Sequence, residues 1–486
     1  MSGNLEDGAS EDRALEDYGR QTTVISPDSP VRVAPVSGLQ RGLWFLDRWN
    51  PQAVTYSIPW VFELAGPLDL QLLEEALNAV VARHEALRTT FDLRSEGLSQ
   101  LVHDQVTIPF ATTDLRDQPD GERSEQVEQI LAAEAVAPFD LATGPLIRAH
   151  AIRRSDLETT VFIAVHHIVW DGWSADVFER EWAECYSALV QQRSPNLPVL
   201  TAQYADYAIE EQETSYEEHL AYWKSNLENV PGLLELPTDR PRPATQSHRG
   251  HTEPFDLLPG TAARIRALAE TEGVTPFMVQ LAAFALLVNR YTGAEDMVIG
   301  TPVTTRNRPE LENLVGYFVN LLPLRIRLGA AMTFRDLLEH VQEVFFDGFC
   351  YLDLPFDQVV DQLGLVRSEQ HSPLVQVVFG AHAEDREPLR FGPASASRQV
   401  RTNGTTKFDL IWSTFDDGEL RGEAEYRTDL FDPSTIHRLA ADYQALLTAA
   451  LDDCDRPIHR LEIPSDISVP VSAARIPEGQ CLHRLF

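Results

Sequence analysis

The spacing of hydrophobic residues in the first half of the chain predicts strands that alternate with helices. Residues 58–64 (IPWVFEL) form an apolar run of strand length, and residues 69–85 carry apolar side chains at helical spacing behind an aspartate that can cap the helix. Residues 159–169 (TTVFIAVHHIV) are almost continuously apolar, which predicts a strand buried on both faces. Ser174 can then cap a helix that runs to about Val190.

The second half of the chain predicts similar elements. Strands are expected at residues 252–258, in the segment DMVIGTPV at 296–303, and in the alternating segment VNLLPLRIRL at 319–328. Helices are expected at residues 259–273, ended by a glycine, and at 275–293, with a threonine cap, a proline in the first turn and a glycine stop. The order of elements indicates an α/β protein with two lobes of related architecture.

Length and local composition suggest the domain boundaries. With 486 residues, the chain exceeds what one hydrophobic core usually supports. Residues 1–28 are acidic and without a sustained period, so they are either a disordered tail or a linker that docks an upstream protein. Residues 29–196 are the expected N-terminal lobe and 197–455 the C-terminal lobe. Residues 456–486 are rich in Pro, Ile and Ser and end abruptly on CLHRLF, which suggests a linker into a further domain.

Net charge restricts the kinds of binding partner that are expected, and the cysteine content bears on the cellular compartment. The formal net charge is −34, from 40 basic and 74 acidic residues, which disfavours binding to nucleic acid or an anionic membrane. No apolar run has the length needed to span a bilayer, and the acidic N-terminus is unlike a signal peptide. Four cysteines lie far apart without metal-ligand spacing, so we expect a reducing, cytoplasmic setting and no metal site: Cys185, Cys350, Cys454 and Cys481.

The segment AVHHIVWDGWS, residues 164–174, is the strongest candidate for chemistry. Adjacent strand residues point to opposite faces, so His166 and His167 cannot both reach one metal ion, and no third ligand has suitable spacing. Asp171 and Gly172 follow at a strand-to-helix junction, where an imidazole beside free N–H groups suits acyl transfer. The alternative is a buried structural histidine with a helix-capping aspartate. Neither a serine elbow nor an activated cysteine is evident, which favours direct attack by a bound nucleophile.

Seven segments in order make the chain resemble a condensation domain of a nonribosomal peptide synthetase, of the subtype that joins an L-configured donor to an L-acceptor. The resemblance covers about residues 30–486, and the final CLHRLF resembles the start of an adenylation domain. The seven segments are SGLQRGLWFLDRWNP (37–51), RHEALRTTF (83–91), HHIVWDGWS (166–174), YADYAIE (204–210), IGTPVTTR (299–306), GYFVNLLPLR (316–325) and YLDLPFD (351–357).

This resemblance implies two chloramphenicol-acetyltransferase-like lobes in a V-shaped pseudo-dimer with a substrate tunnel between them. It implies no bound cofactor, because the substrates arrive as thioesters on the phosphopantetheine arms of carrier proteins. The amine of the acceptor aminoacyl group would attack the donor acyl or peptidyl thioester and form an amide. The implied partners are an upstream donor carrier, a downstream acceptor carrier and an adenylation domain, and we expect the excised domain to be monomeric.

The resemblance also assigns roles to individual residues. His167 matches the catalytic second histidine of the family, and His166 matches the structural first one. Asp171 matches an aspartate that pairs with an arginine, here Arg306. Because that arginine would neutralise the aspartate, we expect the pKa of His167 to stay low enough for a neutral imidazole at pH 7. We also place Gly172 among the catalytic residues, since a larger side chain there would block the site and disturb a turn.

Three further residues are possible supporting residues. Arg83 and Arg88 match arginines important to the fold or activity of the family, and a structural role at the end of a helix is the simpler interpretation. Trp170 is bulkier than the usual residue, and it either packs into the core or narrows the acceptor channel.

The resemblance leaves other functions open. A starter-type domain would attach a fatty acyl group to a first amino acid, and a recruitment platform would bind another enzyme without chemistry. An epimerase of the same fold is disfavoured by the DGWS sequence.

Overall fold

The structure is a computed structural model that describes residues 32–329, 331–365, 368–383 and 388–465. The acidic segment 1–28 and the terminal CLHRLF lie outside the described residues. Within the described ranges the strands are β1 Arg32–Pro35, β2 Ser57–Ala65, β3 Thr89–Arg94, β4 Gly97–Val102, β5 Phe110–Asp114, β6 Ile147–Arg153, β7 Glu158–His166, β8 Gly250–Asp256, β9 Asp296–Thr304, β10 Val319–Arg327, β11 Val377–Ala383, β12 Leu389–Phe391, β13 Ala394–Val400, β14 Leu410–Asp416 and β15 Leu420–Arg427.

The helices alternate with these strands along much of the chain. In chain order they are α1 Gly38–Trp49, α2 Leu70–Arg83, α3 Asp120–Ala135, α4 Gly172–Val190, α5 Tyr204–Gln212, α6 Glu217–Asn226, α7 Thr261–Glu272, α8 Pro276–Thr292, α9 Phe334–Phe349, α10 Phe356–Gln362 and α11 Pro433–Asp452. This alternation of strands and helices around two large sheets confirms the predicted α/β class.

The first lobe is built on a six-stranded sheet with the order β12-β13-β2-β7-β6-β5. Strand β7 pairs antiparallel with both β2 and β6, and its residues 159–166 are all buried, as the apolar run predicts. Helices α2 and α4 pack against each other in the same hydrophobic core. A small sheet of order β1-β4-β3 contacts helix α5 through β1. The central strand therefore delivers its C-terminal end, His166, from a rigid and fully packed core.

The second lobe is built on a six-stranded sheet with the order β10-β9-β11-β14-β15-β8. Helix α8 forms the centre of its core, with a continuous buried run from Met278 to Val288, and it contacts α7, α9, α11 and β11. The predicted Thr275 cap and the predicted Gly293 stop are both present, and Gly293 adopts the left-handed conformation that favours glycine at a helix end. Gly273 ends α7 in the same way.

Two segments from the second half of the chain pack into the first lobe. Strand β13 pairs with β2 along Ser395–Val400, so β12 and β13 extend the first sheet although they lie within the range 197–455. The segment 305–318 between β9 and β10 also contributes Leu311, Leu314, Val315 and Phe318 to the core of the first lobe. The division of the chain at residue 196 stays a prediction, but the packing of these two segments crosses it.

Two local expectations were wrong at the end of the central strand. Strand β7 ends at His166, and residues His167–Val169 form a turn of 3₁₀ helix instead of continuing the strand. The cap of α4 is Asp171 rather than Ser174, because the Asp171 carboxylate accepts the N–H of Ser174, which lies inside the first turn. The first correction shortens the strand and places the two histidines in different backbone conformations.

The length and hydropathy of the helices bear on whether the chain could span a membrane, and the grouping of polar side chains bears on whether it could bind a metal ion. Within the described ranges, no single helix is long and apolar enough to cross a bilayer, and only the pair α7 and α8, bent by 103°, passes by length and composition together. The same residues contain no group of three or more His, Cys, Asp or Glu side chains arranged to hold a metal ion.

Candidate active site

The two adjacent histidines lie at the end of β7 but in different surroundings. His166 is buried, with 3% of its surface exposed, and its Nδ1 atom accepts the N–H of Ile168 at 3.2 Å. Burial, followed by the positive charge of Lys407, lowers the pKa of His166 to about 3. The backbone N–H of His167 is held by the carbonyl of Tyr56 at 2.8 Å. His166 is therefore an uncharged residue packed in the core. His167 lies in the following 3₁₀ turn, in different surroundings.

The imidazole of His167 has one fixed nitrogen and one available nitrogen. Its Nδ1 atom lies 2.6 Å from the carbonyl oxygen of Trp170, which can only accept a hydrogen bond, so Nδ1 carries the hydrogen of the neutral ring. The Nε2 atom is then a proton acceptor. The ring packs edge-on against Tyr317, with centroids 4.9 Å apart, and part of His167 remains exposed. Burial, followed by the positive charge of Lys407, holds the pKa of His167 well below its usual range.

Asp171 joins the first lobe to the segment that arrives from the second half of the chain. One carboxylate oxygen caps α4 by accepting the N–H of Ser174 at 2.8 Å. The other accepts the N–H of Phe318 at 2.9 Å and a guanidinium N–H of Arg306 at 2.6 Å. Asp171 is fully buried and the Arg306 side chain is 1% exposed. This carboxylate is saturated by structural contacts and is not positioned as a proton acceptor for substrate.

Arg306 also makes hydrogen bonds within the segment 305–318 to which it belongs. Its guanidinium donates to the carbonyls of Leu311 and Leu314 and to the hydroxyl of Ser174, and it lies 4.1 Å from the ring centroid of Phe318. The Ser174 hydroxyl in turn donates to the carbonyl of Gly316 at 2.9 Å and accepts its N–H at 3.0 Å. The Asp171–Arg306 pair therefore fixes the segment that carries Tyr317 to the edge of His167.

Gly172 differs from the expectation made for it. It is the first residue of α4, it is exposed, and a Cβ atom added there would meet no protein atom within 4 Å. Its φ angle also lies outside the left-handed region, so the backbone does not require glycine. Gly172 therefore does not adopt the special turn conformation that was expected of it. Two features still support a role for Gly172 in the site. The space beside it is open, and its N–H lies in the first helical turn, where it has no intrahelical acceptor.

The supporting residues serve the packing of the first lobe. Trp170 is 2% exposed and its ring packs edge-on against Phe178, which favours packing into the core over narrowing of an acceptor channel. Arg83 donates to the buried Glu181 at 2.9 Å, and Arg88 donates to the carbonyl of His103. These hydrogen bonds tie both arginines to the framework rather than to the imidazole of His167. The contribution of Trp170 to the site is its carbonyl oxygen.

Sequence reasoning missed three residues around His167. Tyr317 packs on the imidazole, Tyr56 accepts its backbone N–H, and Lys407 places a positive charge close enough to lower the pKa of both histidines. Tyr317 lies within the segment GYFVNLLPLR, whose resemblance to the family gave it no role of its own. For Lys407 the sequence does hold a signal, since the chain contains only two lysines, Lys224 and Lys407.

Comparison with known proteins identifies the family. The family model described as "Condensation domain" matches residues 31–469. The chain belongs to this family. One of the linear gramicidin synthase proteins of Brevibacillus parabrevis is 42% identical over 464 residues, which cover 92% of this chain and 9% of that protein. Phosphinothricin tripeptide synthetase PhsB of Streptomyces viridochromogenes is 37% identical over 446 residues, covering 90% of this chain and 37% of that protein.

Solved structures agree with this assignment. The X-domain from teicoplanin biosynthesis is 29% identical and superposes with a TM-score of 0.79, covering 88% of this chain and 97% of that one. A four-domain nonribosomal peptide synthetase bound to AMP and glycine is 24% identical with a TM-score of 0.81, covering 93% of this chain and 35% of that one, and it supports the fold alone. The condensation-domain fold confirms the two chloramphenicol-acetyltransferase-like lobes.

Membership in the family defines the chemical setting. The chain spans about a tenth of the gramicidin synthase protein and less than two fifths of the phosphinothricin synthetase. These relatives are nonribosomal peptide synthetases, enzymes of secondary metabolite and antibiotic biosynthesis. Condensation domains use no cofactor of their own and act on substrates carried by phosphopantetheine arms of carrier proteins.

Proposed function

We propose that this domain forms an amide bond between two carrier-bound substrates. The acceptor amine attacks the carbonyl of the donor acyl or peptidyl thioester, and His167 accepts the proton that the amine loses. The observation that carries the proposal is the hydrogen bond from Nδ1 of His167 to the Trp170 carbonyl, because it leaves Nε2 unprotonated and the ring uncharged. The donor and acceptor carriers and an adenylation domain are the proposed partners, in the cytoplasm.

The demand on this base is modest. An α-amine has a reference pKa of about 7.7–8.0, so a useful fraction of acceptor is unprotonated at neutral pH. His167 then needs only to hold the neutral amine and to accept one of its two protons as the tetrahedral intermediate forms. A positioned general base contributes roughly 10²–10⁴-fold, which sets the expected scale of its removal. Asp171 and Arg306 act as architecture in this scheme, since their contacts hold α4 and the Tyr317 segment.

The test is direct formation of the product. Donor and acceptor carrier proteins are chemically loaded with a panel of aminoacyl thioesters, mixed with the domain, and analysed by mass spectrometry for an amide-linked product on the acceptor. We expect His167→Ala to lose well over tenfold in rate, while the matched control His437→Ala, at an exposed histidine on α11, keeps the wild-type rate. A near-normal rate for His167→Ala would reject catalysis by this residue.

Two alternatives make different predictions in the same assay. A starter-type domain would form product only from a fatty acyl donor, so medium- and long-chain acyl donors belong in the panel. A recruitment platform is the second alternative, because this chain resembles the teicoplanin X-domain, which has been solved in complex with OxyB at 30% identity to this chain. A platform would give no amide with any donor, whereas the intact His167, Asp171 and Gly172 favour chemistry.

A further inference from the structure

The use of lysine in this chain singles out one position. Of its 40 basic residues of Lys and Arg, only Lys224 and Lys407 are lysines. Lys224 is exposed on α6, whereas Lys407 is partly buried beside the candidate active site. An ammonium can lose its proton near neutral pH when it is buried, and a guanidinium cannot. Nearly all of the cationic residues in this chain are therefore arginines, and its one partly buried lysine lies beside the candidate active site.

The backbone just before Lys407 is anchored at the start of β2, the strand that pairs with β7. The side chain of Asn403 donates to the carbonyl of Val54 at 2.6 Å and to that of Ser57 at 2.8 Å. Ser57 lies opposite His166 in the β2–β7 pairing. The segment that carries Lys407 is thus fixed, by direct hydrogen bonds, at the same end of the first sheet from which the two histidines emerge.

Within the described part of the chain, the ammonium of Lys407 has an aromatic neighbour but forms no ion pair with a carboxylate. Its Nζ atom lies 5.2 Å from the ring centroid of Tyr56, whose carbonyl holds the N–H of His167. Among the residues that the structure describes, no ion pair includes Lys407, and the carboxylate whose charge acts on it is that of Glu425 on β15. Burial lowers the pKa of Lys407 to about 8, against the opposing charge of Glu425.

A partly buried cation without a counterion is costly, and the cost falls when a negative charge forms beside it. The chemistry proposed above creates one such charge at the reacting carbonyl. The charged and titratable groups that face this region are Lys407, Glu425, the two histidines, Tyr56 and Tyr317, with Asp357 close to both tyrosines. Lys407 supplies the positive charge in this set, and it repels an imidazolium at His167 while it attracts an oxyanion.

We propose that the Lys407 ammonium is a further catalytic residue that binds the oxyanion of the tetrahedral intermediate; this inference rests on the proposed function. The acceptor nitrogen forms a bond to the donor carbonyl carbon, and the carbonyl electron pair moves to the oxygen, which Lys407 contacts. The proton leaves the nitrogen for Nε2 of His167. When the carbonyl re-forms, the carbon–sulfur bond breaks and the departing thiolate takes the proton from His167. The interaction exists only once the oxygen is charged, so it lowers the barrier.

A competing role for Lys407 as a general base can be distinguished by the direction in which activity changes with pH. An unprotonated Lys407 could serve as the base, in which case activity would rise as the pH passes about 8. An oxyanion contact requires the ammonium, so activity would fall through the same range. Arginine at position 407 retains the charge at every accessible pH but cannot act as a base. The ratio of wild-type kcat to that of Lys407→Arg, measured against pH, also cancels the ionisation of the acceptor amine.

The first experiment needs no turnover. In the Lys224→Arg variant Lys407 is the one remaining lysine, so its acetylation by trace acetic anhydride can be followed by peptide mass spectrometry across pH 6 to 11. We expect the labelling rate to rise with a midpoint near pH 8, well below the ordinary value of about 10.4. A midpoint near 10.4 would show an ordinary solvated ammonium and would overturn the proposal.

The second experiment uses the amide-forming assay with the aminoacyl pair that gives the highest wild-type yield. We expect Lys407→Met to lose at least tenfold and up to the roughly 10²–10³-fold that one oxyanion donor contributes, while Lys224→Met keeps the wild-type rate. Lys407→Arg should retain more activity than Lys407→Met, and the wild-type to Lys407→Arg ratio should fall about tenfold per pH unit above about 8.

The outcomes separate the two proposals. A wild-type domain that forms no amide with any pair overturns the proposed function and the Lys407 inference with it. An active wild type with an equally active Lys407→Met overturns the Lys407 inference alone. If Lys407→Met fails to fold, judged by circular dichroism, the pH ratio with Lys407→Arg decides, and a ratio that is flat or rises above pH 8 overturns the oxyanion role.

Discussion

Removing the Asp171 carboxylate is expected to destabilise the domain far more than removing the catalytic imidazole. Asp171→Ala strands the buried Arg306 guanidinium, uncaps α4 and leaves the N–H of Phe318 without its acceptor. Breaking a buried ion pair by removing one partner costs roughly 3–5 kcal/mol. The lost cap and the orphaned N–H each cost about 1 kcal/mol or more, but the three contacts share one carboxylate and do not add independently.

We therefore expect Asp171→Ala to lower the unfolding free energy by about 4 kcal/mol or more, a large part of the roughly 5–15 kcal/mol that stabilises a typical domain. His167→Ala removes a partly exposed ring and one hydrogen bond, so about 1 kcal/mol is expected. The assay is guanidinium unfolding of both purified variants and the wild type, followed by tryptophan fluorescence and circular dichroism.

A double variant tests whether the stranded charge is the cause. Asp171→Ala with Arg306→Met removes both charges, and it should recover part of the stability that Asp171→Ala loses. Unfolding free energies of Asp171→Ala and His167→Ala within about 0.5 kcal/mol of each other would refute the structural role of Asp171, and so would a double variant less stable than Asp171→Ala.

Three further predictions concern single side chains. Burial raises the pKa of Glu179 to about 7 against the opposing charge of Arg398, so the folded state takes up a proton as the pH falls from 8 to 5. The unfolding free energy should rise by up to about 3 kcal/mol over that range, and Glu179→Gln should show a flatter dependence in urea unfolding. Gly172→Ala should keep the unfolding free energy within about 0.5 kcal/mol while amide formation slows; a destabilised variant would contradict the open space beside Gly172. Trp170→Phe should cost about 1–2 kcal/mol without changing the preference between small and large acceptors in a competition assay, because the ring packs on Phe178.

Local periodicity and cap chemistry determined many of the elements from the sequence. The strand at 58–64, the helix behind Asp69, and α8 between Thr275 and Gly293 were predicted because their signals are contained within each segment. The resemblance identified the family from ordered motifs, and the Asp171–Arg306 pair that it implied is present across 135 residues of sequence. The catalytic roles of His167 and its neighbours stay predictions until they are assayed.

Choices between equivalent local signals were decided by tertiary contacts. Asp171 and Ser174 are both good capping residues, and Asp171 became the cap while Ser174 turned its hydroxyl toward Arg306 and Gly316. The apolar run of 159–169 gave no sign that the strand would end at His166. The N–H of His167 still binds the carbonyl of Tyr56, next to the Ser57–His166 pair, and the chain then turns, with the N–H of Trp170 on the carbonyl of His167.

The sequence by itself determined the α/β class, the family and the histidine motif, because each depends on short local patterns and their order along the chain. Only the tertiary structure joined β13 to the first sheet and brought Tyr317 and Lys407 to the imidazole. The physical reason is that hydrogen bonding between strands and burial of a charge depend on which surfaces meet in space, and a pattern of hydrophobic spacing describes only the face that each element presents.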